Sequence, residues 1–372
     1  MALQNNVRSS RLIRCLTFVL CALRSGLGDC NSLQFSGPEN LGAIDSEDIT
    51  EASGLAASWR NPGVFWTHND GSGEKIFALS ADGRLLATFK LGKSVDDVED
   101  IAVGPGPDAQ LSYLYVGDVG SNTGNRDEVK VLRTAEPQVA SEPSTDTVDF
   151  GKVESFRLEY PEGKFDAEAI LVDPIARDLY VVTKETSGAH LFLAHLDDLQ
   201  AGETITLEAV AELEFSKVAG GAISRDGQLI ALRREDAAYL WTRSPGQTIV
   251  EALSSTASAL PIVGPPDEPN GEAITFLLDS SGYITLSEGE EQPLFAFRRA
   301  TGTEAPQFVA APRLTAEGIQ IQVMGCAGSS LRLERSSDLQ HWTPAFTITA
   351  NGSVQTLLDA DTSTRRYYRL AL

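Results

Sequence analysis

Cysteine is scarce in this chain and poorly spaced for chemistry. The 372 residues hold four: Cys15, Cys21, Cys30 and Cys326. Two sit in an apolar N-terminal run, and the other two are nearly a chain length apart. That spacing excludes a disulfide framework and a cysteine zinc site. Basic residues are also few: 30 Lys and Arg stand against 52 Asp and Glu, for a net charge of −22. Bulk attraction to nucleic acid or to an anionic membrane needs a basic surface and is thereby excluded as a mode of action. Long apolar runs are missing too. The one candidate, CLTFVLCAL (15–23), falls well short of the ~20 residues that span a bilayer, so no transmembrane segment is expected. Histidine numbers four, and His190 and His195 are an odd number of positions apart in a predicted strand. They point to opposite faces and cannot share a metal. There is no G-x-S-x-G nucleophile elbow, and GSGEK (71–75) lacks the Gly-Lys pair of a phosphate-binding loop.

The N-terminus reads as an export signal. MALQNNVRSSRLIR carries Arg8, Arg11 and Arg14 and no acid, and the apolar run follows it. Gly26 and Gly28 stand at −3 and −1 of a cleavage before Asp29. Leu27-Gly-Asp-Cys30 is a weak lipobox, because Asp29 stands where a small residue is expected. Residues 1–28 are therefore expected to be a signal peptide, and the mature protein to be secreted, extracellular or periplasmic.

A repeat organises the rest. Ser53-Gly-Leu-Ala, Glu99-Asp-Ile-Ala, Glu168-Ala-Ile-Leu, Gly221-Ala-Ile-Ser and Glu272-Ala-Ile-Thr align as first strands. Their second residues, Gly54, Asp100, Ala169, Ala222 and Ala273, lie 46, 69, 53 and 51 positions apart. Each is followed by a turn and a second strand: VFWTH (64–68), LYVGD (114–118), YVVTK (180–184), ALRR (231–234) and ITLSE (284–288). A period of this size with four short strands per unit predicts β-propeller blades.

Third and fourth strands follow in order: KIFAL and LLATFKL, VKVLR and ESFRLEY, HLFLAHL and TLEAVAELEF, YLWTR and TIVEAL. Unit five has PLFAFRR (293–299) and no fourth strand. The unassigned segment Leu33 to Ile44 is expected to supply it, closing the ring and removing the open sheet edges. Six blades stay compatible with the repeat. TAEPQVASEPSTDTVD (134–149) reads as a surface loop.

The fold class is therefore all-β, a propeller over 33–299. ATGTEAPQFVAAP (300–312) is a linker. Alternating strands such as Ile319-Gln-Ile-Gln-Val and Leu331-Arg-Leu-Glu predict a small β-sandwich over 313–372. Trp342 and Tyr368 are expected in its core, with His341 facing solvent.

The innermost strand of each blade lines the central channel, so strand starts and the ends of the next strands meet at one mouth. That rule gathers Glu99, Glu168 and Glu272 from starts, and His68, Asp118, Lys184, Arg234 and Glu288 from ends. Glu51, Asn69, Asp70, Asn122 and Asp166 sit in adjoining loops. Converging carboxylates repel unless a cation or a base neutralises them. An oxygen-rich set without cysteine suits Ca²⁺ better than Zn²⁺. Lys184 and Arg234 would neutralise charge or grip an anion, and His68 is the histidine placed for acid–base work. Each of these residues has an equally simple structural reading, as an ion pair or a loop-satisfying polar group.

EASGLAASWRNPGVFWTHNDGSG (51–73), DDVEDIAVGPG, YLYVGDVGSNTGNRDEV, DAEAILVDP, LYVVTKE, GGAISRDGQLIALR and NGEAI with SEG resemble a family of uncharacterised secreted bacterial β-propeller proteins over about 45–299. At fold level this family looks like the calcium-dependent propeller hydrolases, among them gluconolactonases, paraoxonases and propeller phytases. SLRLERSSDLQHW with the terminal RRYYRLAL resembles a small fibronectin-like module of secreted bacterial proteins.

The hydrolase resemblance implies a calcium ion at the channel mouth, with ligands drawn from Glu51, Asn69, Glu99, Asn122, Glu168 and Glu272. His68, Asp118, Lys184 and Arg234 would be the catalytic candidates, and Asp70, Asp166 and Glu288 the substrate contacts. The expected activity is hydrolysis of an ester, lactone or phosphoester by a monomer acting on a small molecule or glycan. Two other readings stand beside it: a non-catalytic binding or adhesion protein for a glycan, peptide or anionic ligand, and a propeller whose calcium is purely structural.

Overall fold

The structure, a computed structural model, describes residues 33, 35–121 and 126–299, and in the C-terminal part 307–309, 312–315, 317–324, 330–349, 354–360 and 366–371. The export signal, all four cysteines, Asn122 and most of the 300–312 linker lie outside the described residues. Among the described residues no helix is long and apolar enough to cross a membrane.

Residues 35–299 form one compact unit of five antiparallel blades. The inner strands are Ala52–Ala57, Val98–Pro105, Ala167–Asp173, Gly220–Ile223 and Gly271–Phe276. Each packs beside the next, and the fifth packs beside the first, which closes the ring. The sixth blade that the repeat left open is not formed among the described residues. We number the blades one to five from Ala52.

Glu39–Ala43 is the outermost strand of blade five and pairs antiparallel with Pro293–Arg298. The ring is thus closed by the N-terminal strand, as the unpartnered fifth repeat required. The core lies between neighbouring blades rather than at the centre. Ile76, Trp66 and Val116 pack between blades one and two, and Phe156, Val181 and Phe192 between two and three. Each such side chain stabilises by roughly 1.5–3 kcal/mol through removal from water.

Two readings within the propeller need correction. TIVEAL is not the fourth strand of blade four. Ile249–Leu253 is a short helix, and Ser258–Leu260 is the strand. The Thr248 hydroxyl accepts the Glu251 amide at 3.1 Å, and Glu251 Oε2 accepts the Thr248 amide at 2.8 Å. This reciprocal cap satisfies orphan amides and outweighs the strand propensity of Ile and Val.

The 134–149 insertion is not merely a surface loop. Thr147–Asp149 adds a fifth, parallel strand to the outer edge of blade one. Phe150, just after it, stacks on Phe89 at 5.0 Å. Glu136 is buried, and its carboxylate accepts the Ser58 hydroxyl, the Trp66 indole N–H (2.8 Å), the Arg60 amide (3.1 Å) and the Ser112 hydroxyl (2.5 Å). Four donors make this carboxylate a buried knot between blades one and two. Blade two gains its own parallel fifth strand, Thr204–Thr206, from the chain of blade three.

The C-terminal residues 300–372 belong to a separate unit. Ile319–Met324 is central to one small sheet and Ser330–Ser336 to another. Ile321, Val323, Leu331, Leu333 and Tyr368 form a shared apolar cluster. Tyr368 is buried and donates to Asp359 at 2.9 Å, and His341 is exposed. Trp342 is only half-buried, with Arg369 stacked 4.5 Å over its ring, so it is not a core residue.

Candidate metal centre at the channel mouth

A β-bulge recurs at the start of the inner strands. In blade two Val98 opposes Asp118 and Asp100 opposes Gly117, which leaves Glu99 as the extra residue. In blade three Ala167 opposes Thr183 and Ala169 opposes Val182, so Glu168 is extra. In blade five Gly271 opposes Ser287 and Ala273 opposes Leu286, so Glu272 is extra. Blade one shows the same shift between Ala52 and Leu55, around Ser53 and Gly54. A bulge breaks the in–out alternation and re-aims one side chain. Blade four has no shift, and glycines, Gly220 and Gly221, stand there instead. The mouth therefore collects Ser53, Glu99, Glu168 and Glu272, all buried.

These groups are mutually dependent. Ser53 Oγ lies 2.8 Å from the Glu99 carbonyl and 3.2 Å from Glu272 Oε2. Lys184 Nζ stands 3.1 Å from Glu168 Oε1. Burial, then the charges of Glu168, Asp70 and Asp97, push the Glu99 carboxyl far above its usual range. Burial also raises Glu168, against the pull of Lys184. Burial, then Glu288 and Glu168, raise Glu272. Burial opposes the charge on Lys184, but Glu168, Glu272 and Glu99 outweigh it and hold the ammonium on. The mouth is a site of excess negative charge that a proton or a cation must balance.

One geometry suits a cation. Carboxylate oxygens of Asp70, Asp97 and Glu99 all lie within 4.8 Å of one another. Ca²⁺–oxygen distances of ~2.3–2.6 Å allow three such oxygens to share one ion. Asp70 Oδ1 is buried and has no hydrogen-bond partner. A Cβ on Gly120 would stand 1.9 Å from Glu99 Oε1, so this glycine leaves the space the carboxylate uses. The oxygen-only donor set with an orphaned buried oxygen fits a hard divalent cation.

The structure redistributes the sequence-derived roles. Glu99, Glu168 and Glu272 come together, and Lys184 joins them. Of the expected metal ligands among the described residues, only Glu99 belongs to the three-carboxylate group. Asp70, expected to touch substrate, belongs to it as well, and Asp97 is an addition. Asn69 is engaged elsewhere: its Oδ1 accepts the Thr50 and Glu51 amides at 3.0 and 3.2 Å, and its Nδ2 donates to Asp48 O at 2.8 Å. The Glu51 side chain is exposed, while its carbonyl accepts the Asp70 amide at 2.7 Å. Asp166 latches two loops. Its Oδ1 accepts the Ser121 amide at 2.7 Å, and its carbonyl accepts the Lys184 amide at 2.8 Å. Burial, then Asp70, raises Glu288, which also hydrogen-bonds Glu272.

Three catalytic candidates do not fit that role. Asp118 is fully buried and accepts the Asp96 and Asp97 amides at 3.1 and 3.0 Å and Arg126 Nη1 at 3.0 Å, with Lys130 Nζ at 3.4 Å. It anchors the segment that carries Asp97 and has no oxygen left for a substrate proton. His68 is also fully buried. Its Nδ1 donates to Asn69 O at 2.9 Å, and Nε2 lies where a Gly54 side chain would be, without a partner. Burial lowers its pKa to about 4, so it stays neutral and out of reach. Arg234 pairs with Asp236 in its own hairpin turn, at 2.8 and 2.9 Å.

Asp100 is the residue the sequence did not single out. Its buried carboxylate accepts the Ile101 amide at 2.8 Å and the Ile170 amide at 3.0 Å, and a third bond comes from the Gly221 amide. It ties the inner strands of blades two, three and four together. Burial drives its pKa well upward against those three amides. An Asp facing Gly-Gly in the blade-four repeat is the only sequence signal for it.

No family model and no curated protein matches the sequence. Solved structures similar to this chain include the PQQ-bound aldose sugar dehydrogenase of Streptomyces coelicolor. It shares 10% identity at a TM-score of 0.42, over 72% of this chain and 99% of that one. The hydrazine synthase of Kuenenia stuttgartiensis shares 8% identity at a TM-score of 0.38, over 68% and 84%. U3-55K shares 14% identity at 0.34, over 66% and 80%.

Proposed function

We propose that this is an exported five-bladed propeller whose mouth binds one calcium ion through Asp70, Asp97 and Glu99 and hydrolyses an ester, lactone or phosphoester. The observation that carries the reading is the convergence of three carboxylates around an orphaned, buried Asp70 oxygen. When bound, the ion would supply Lewis-acid polarisation of a substrate oxygen and stabilise charge developing there. Lys184 would hold an anionic substrate group. Glu272, steadied by Ser53 and raised by burial to about 8, would in its ionised form take the proton from attacking water. It replaces Asp118 and His68 in that role.

A second reading is a cation-dependent binding protein for a glycan or an anionic ligand. The enclosure of both expected bases, His68 and Asp118, favours it. One experiment separates the readings. Calcium content and melting temperature of the protein from Asp29 onward are measured with and without EDTA, followed by a screen of lactones, esters and phosphoesters. Bound calcium with turnover that Glu272→Gln abolishes supports the hydrolase. Bound calcium without turnover supports the binder. Absence of calcium and of any EDTA effect overturns both.

A further inference from the structure

The segments that carry the three clustered carboxylates are tied to one another through their backbones. The Gly71 carbonyl accepts the Val98 amide at 2.9 Å, which joins the loop of Asp70 to the strand of Asp97 and Glu99. The Asp97 amide donates to Asp118 Oδ1 at 3.0 Å, and the Asp97 carbonyl accepts the Gly120 amide at 3.2 Å. Both polar backbone groups of Asp97 are thus held by residues 118–120. Glu99 lies against the same segment, in the space that Gly120 leaves by having no Cβ.

Arg126 fixes that segment. Its Nη1 donates to Gly120 O at 2.7 Å and to Asp118 Oδ1 at 3.0 Å, and its Nη2 donates to Asp118 O at 3.2 Å. The Gly120 carbonyl and the Ser121 amide are the two poles of one peptide unit. The second pole is held as well: the Ser121 amide donates to Asp166 Oδ1 at 2.7 Å. A cation on the oxygen and a carboxylate on the N–H make both bonds charge-assisted, so the peptide cannot rotate without losing two strong contacts. A planar fork reaches one side chain and two carbonyls together, which the point charge of a lysine cannot do.

We propose that Arg126 is a positioning residue that gives the mouth its preference for Ca²⁺: together with Asp166 it clamps the Gly120–Ser121 peptide, and through that peptide it holds Asp97 and Glu99 in place. The inference rests on the calcium reading above and adds to it a residue that acts through the backbone rather than on the ion. Three carboxylates that repel one another stay converged only if the chain beneath them cannot yield. Ligand number and rigidity are also what separate Ca²⁺ from Mg²⁺, which is usually held by one or two carboxylates and keeps several waters. With the clamp released, Glu99 would withdraw and leave two carboxylates, a set that suits Mg²⁺ as well as before but not Ca²⁺.

The test titrates the whole chain from Asp29 onward with Ca²⁺ and, separately, with Mg²⁺ by calorimetry, and records the melting temperature in EDTA. Arg126→Lys keeps a charge beside Asp118 and loses the fork. It should weaken Ca²⁺ at least about tenfold and Mg²⁺ by less than about threefold, the scale of losing a group that orients ligands. The melting temperature in EDTA should fall by no more than about 4 °C. Asp166→Ala frees the other pole of the peptide at a half-buried position and should show the same pattern, which keeps the test decisive if Arg126→Lys does not fold. Asp166→Asn retains an oxygen for the Ser121 amide and should bring Ca²⁺ affinity back to within about threefold of the native chain. Unchanged Ca²⁺ affinity in the folded variants overturns the proposal and leaves the calcium site standing. So do equal losses for the two ions, as a general loosening would give, or an Asp166→Asn variant as weak as Asp166→Ala. A native chain that binds no Ca²⁺ overturns the calcium reading and this proposal with it.

Discussion

Gly120 and Glu99 share one space: a side chain on the glycine would overlap the carboxylate, with its Cβ 1.9 Å from Oε1. Gly120→Ala should therefore displace Glu99 from Asp70 and Asp97. Calcium affinity should fall at least about tenfold, the order expected when one ligand to a rigid site is lost. Calcium titration followed by melting temperature checks this. An unchanged affinity would show that Glu99 is not a ligand.

Stability without calcium should fall as pH rises. Burial raises Glu99, Glu168 and Glu272 above the ordinary 4.5, Glu272 to about 8. The folded state then holds more protons than the unfolded state, and stability declines as pH passes from the unfolded value through the raised one. The contribution is fully present below about pH 4.5 and lost progressively toward about pH 8. Of these three, only Glu99 is a proposed calcium ligand, so calcium competes with the Glu99 proton and its affinity should climb as pH rises. Melting temperature against pH, with EDTA and with calcium, reads both slopes. A flat EDTA curve over this window would contradict the assignment.

Lys184→Met removes the ammonium 3.1 Å from Glu168. Breaking a fully buried pair costs about 3–5 kcal/mol. With the Lys184 side chain 29% exposed, partial screening reduces the expected loss to about 1–3 kcal/mol. Urea unfolding in EDTA measures it. If the mouth is catalytic, KM for an anionic substrate should rise more than kcat falls.

Arg233 and Glu268 are both fully buried, with Nη2 to Oε2 at 3.0 Å, and Arg233 also donates to Ala273 O at 3.0 Å. Glu268→Leu would strand the guanidinium and should cost about 3–5 kcal/mol. Arg233→Met combined with Glu268→Leu should cost less than Glu268→Leu alone. Denaturant unfolding of the single and double variants tests the order, and a double variant that is the least stable would refute it.

The five repeats, the ring and its closure were legible because each strand carries its own alternation and turn chemistry. The three glutamates were legible for the same reason, as a recurring residue before Ala-Ile or Asp-Ile. The bulges were not, since an extra residue is defined only against its partner strand. His68 and Asp118 seemed to line the mouth from the repeat alone, yet both are fully buried, held by the Asn69 carbonyl and by Arg126 with the Asp96 and Asp97 amides. Glu136 was illegible for a different reason: its donors, Ser58, Trp66 and Ser112, are distant in sequence. The helix after Thr248 did have a signal, Thr and Glu three apart, but it was shorter than the window over which a helical period shows.

The borrowed strands set an order on how the propeller can be made. Blade one is edged by Thr147–Asp149 and blade two by Thr204–Thr206, each delivered by chain that comes later. Glu39–Ala43 must wait for Pro293–Arg298, the last strand of the ring to be synthesised. No early blade can mature by itself as the chain emerges, and the first segment made is the last to find its place. Such long-range pairing folds slowly and leaves an unpaired strand edge exposed meanwhile. The ring therefore behaves as a single knot tied at the end of synthesis, and a chain stopped short of Arg298 would be left without a finished fifth blade.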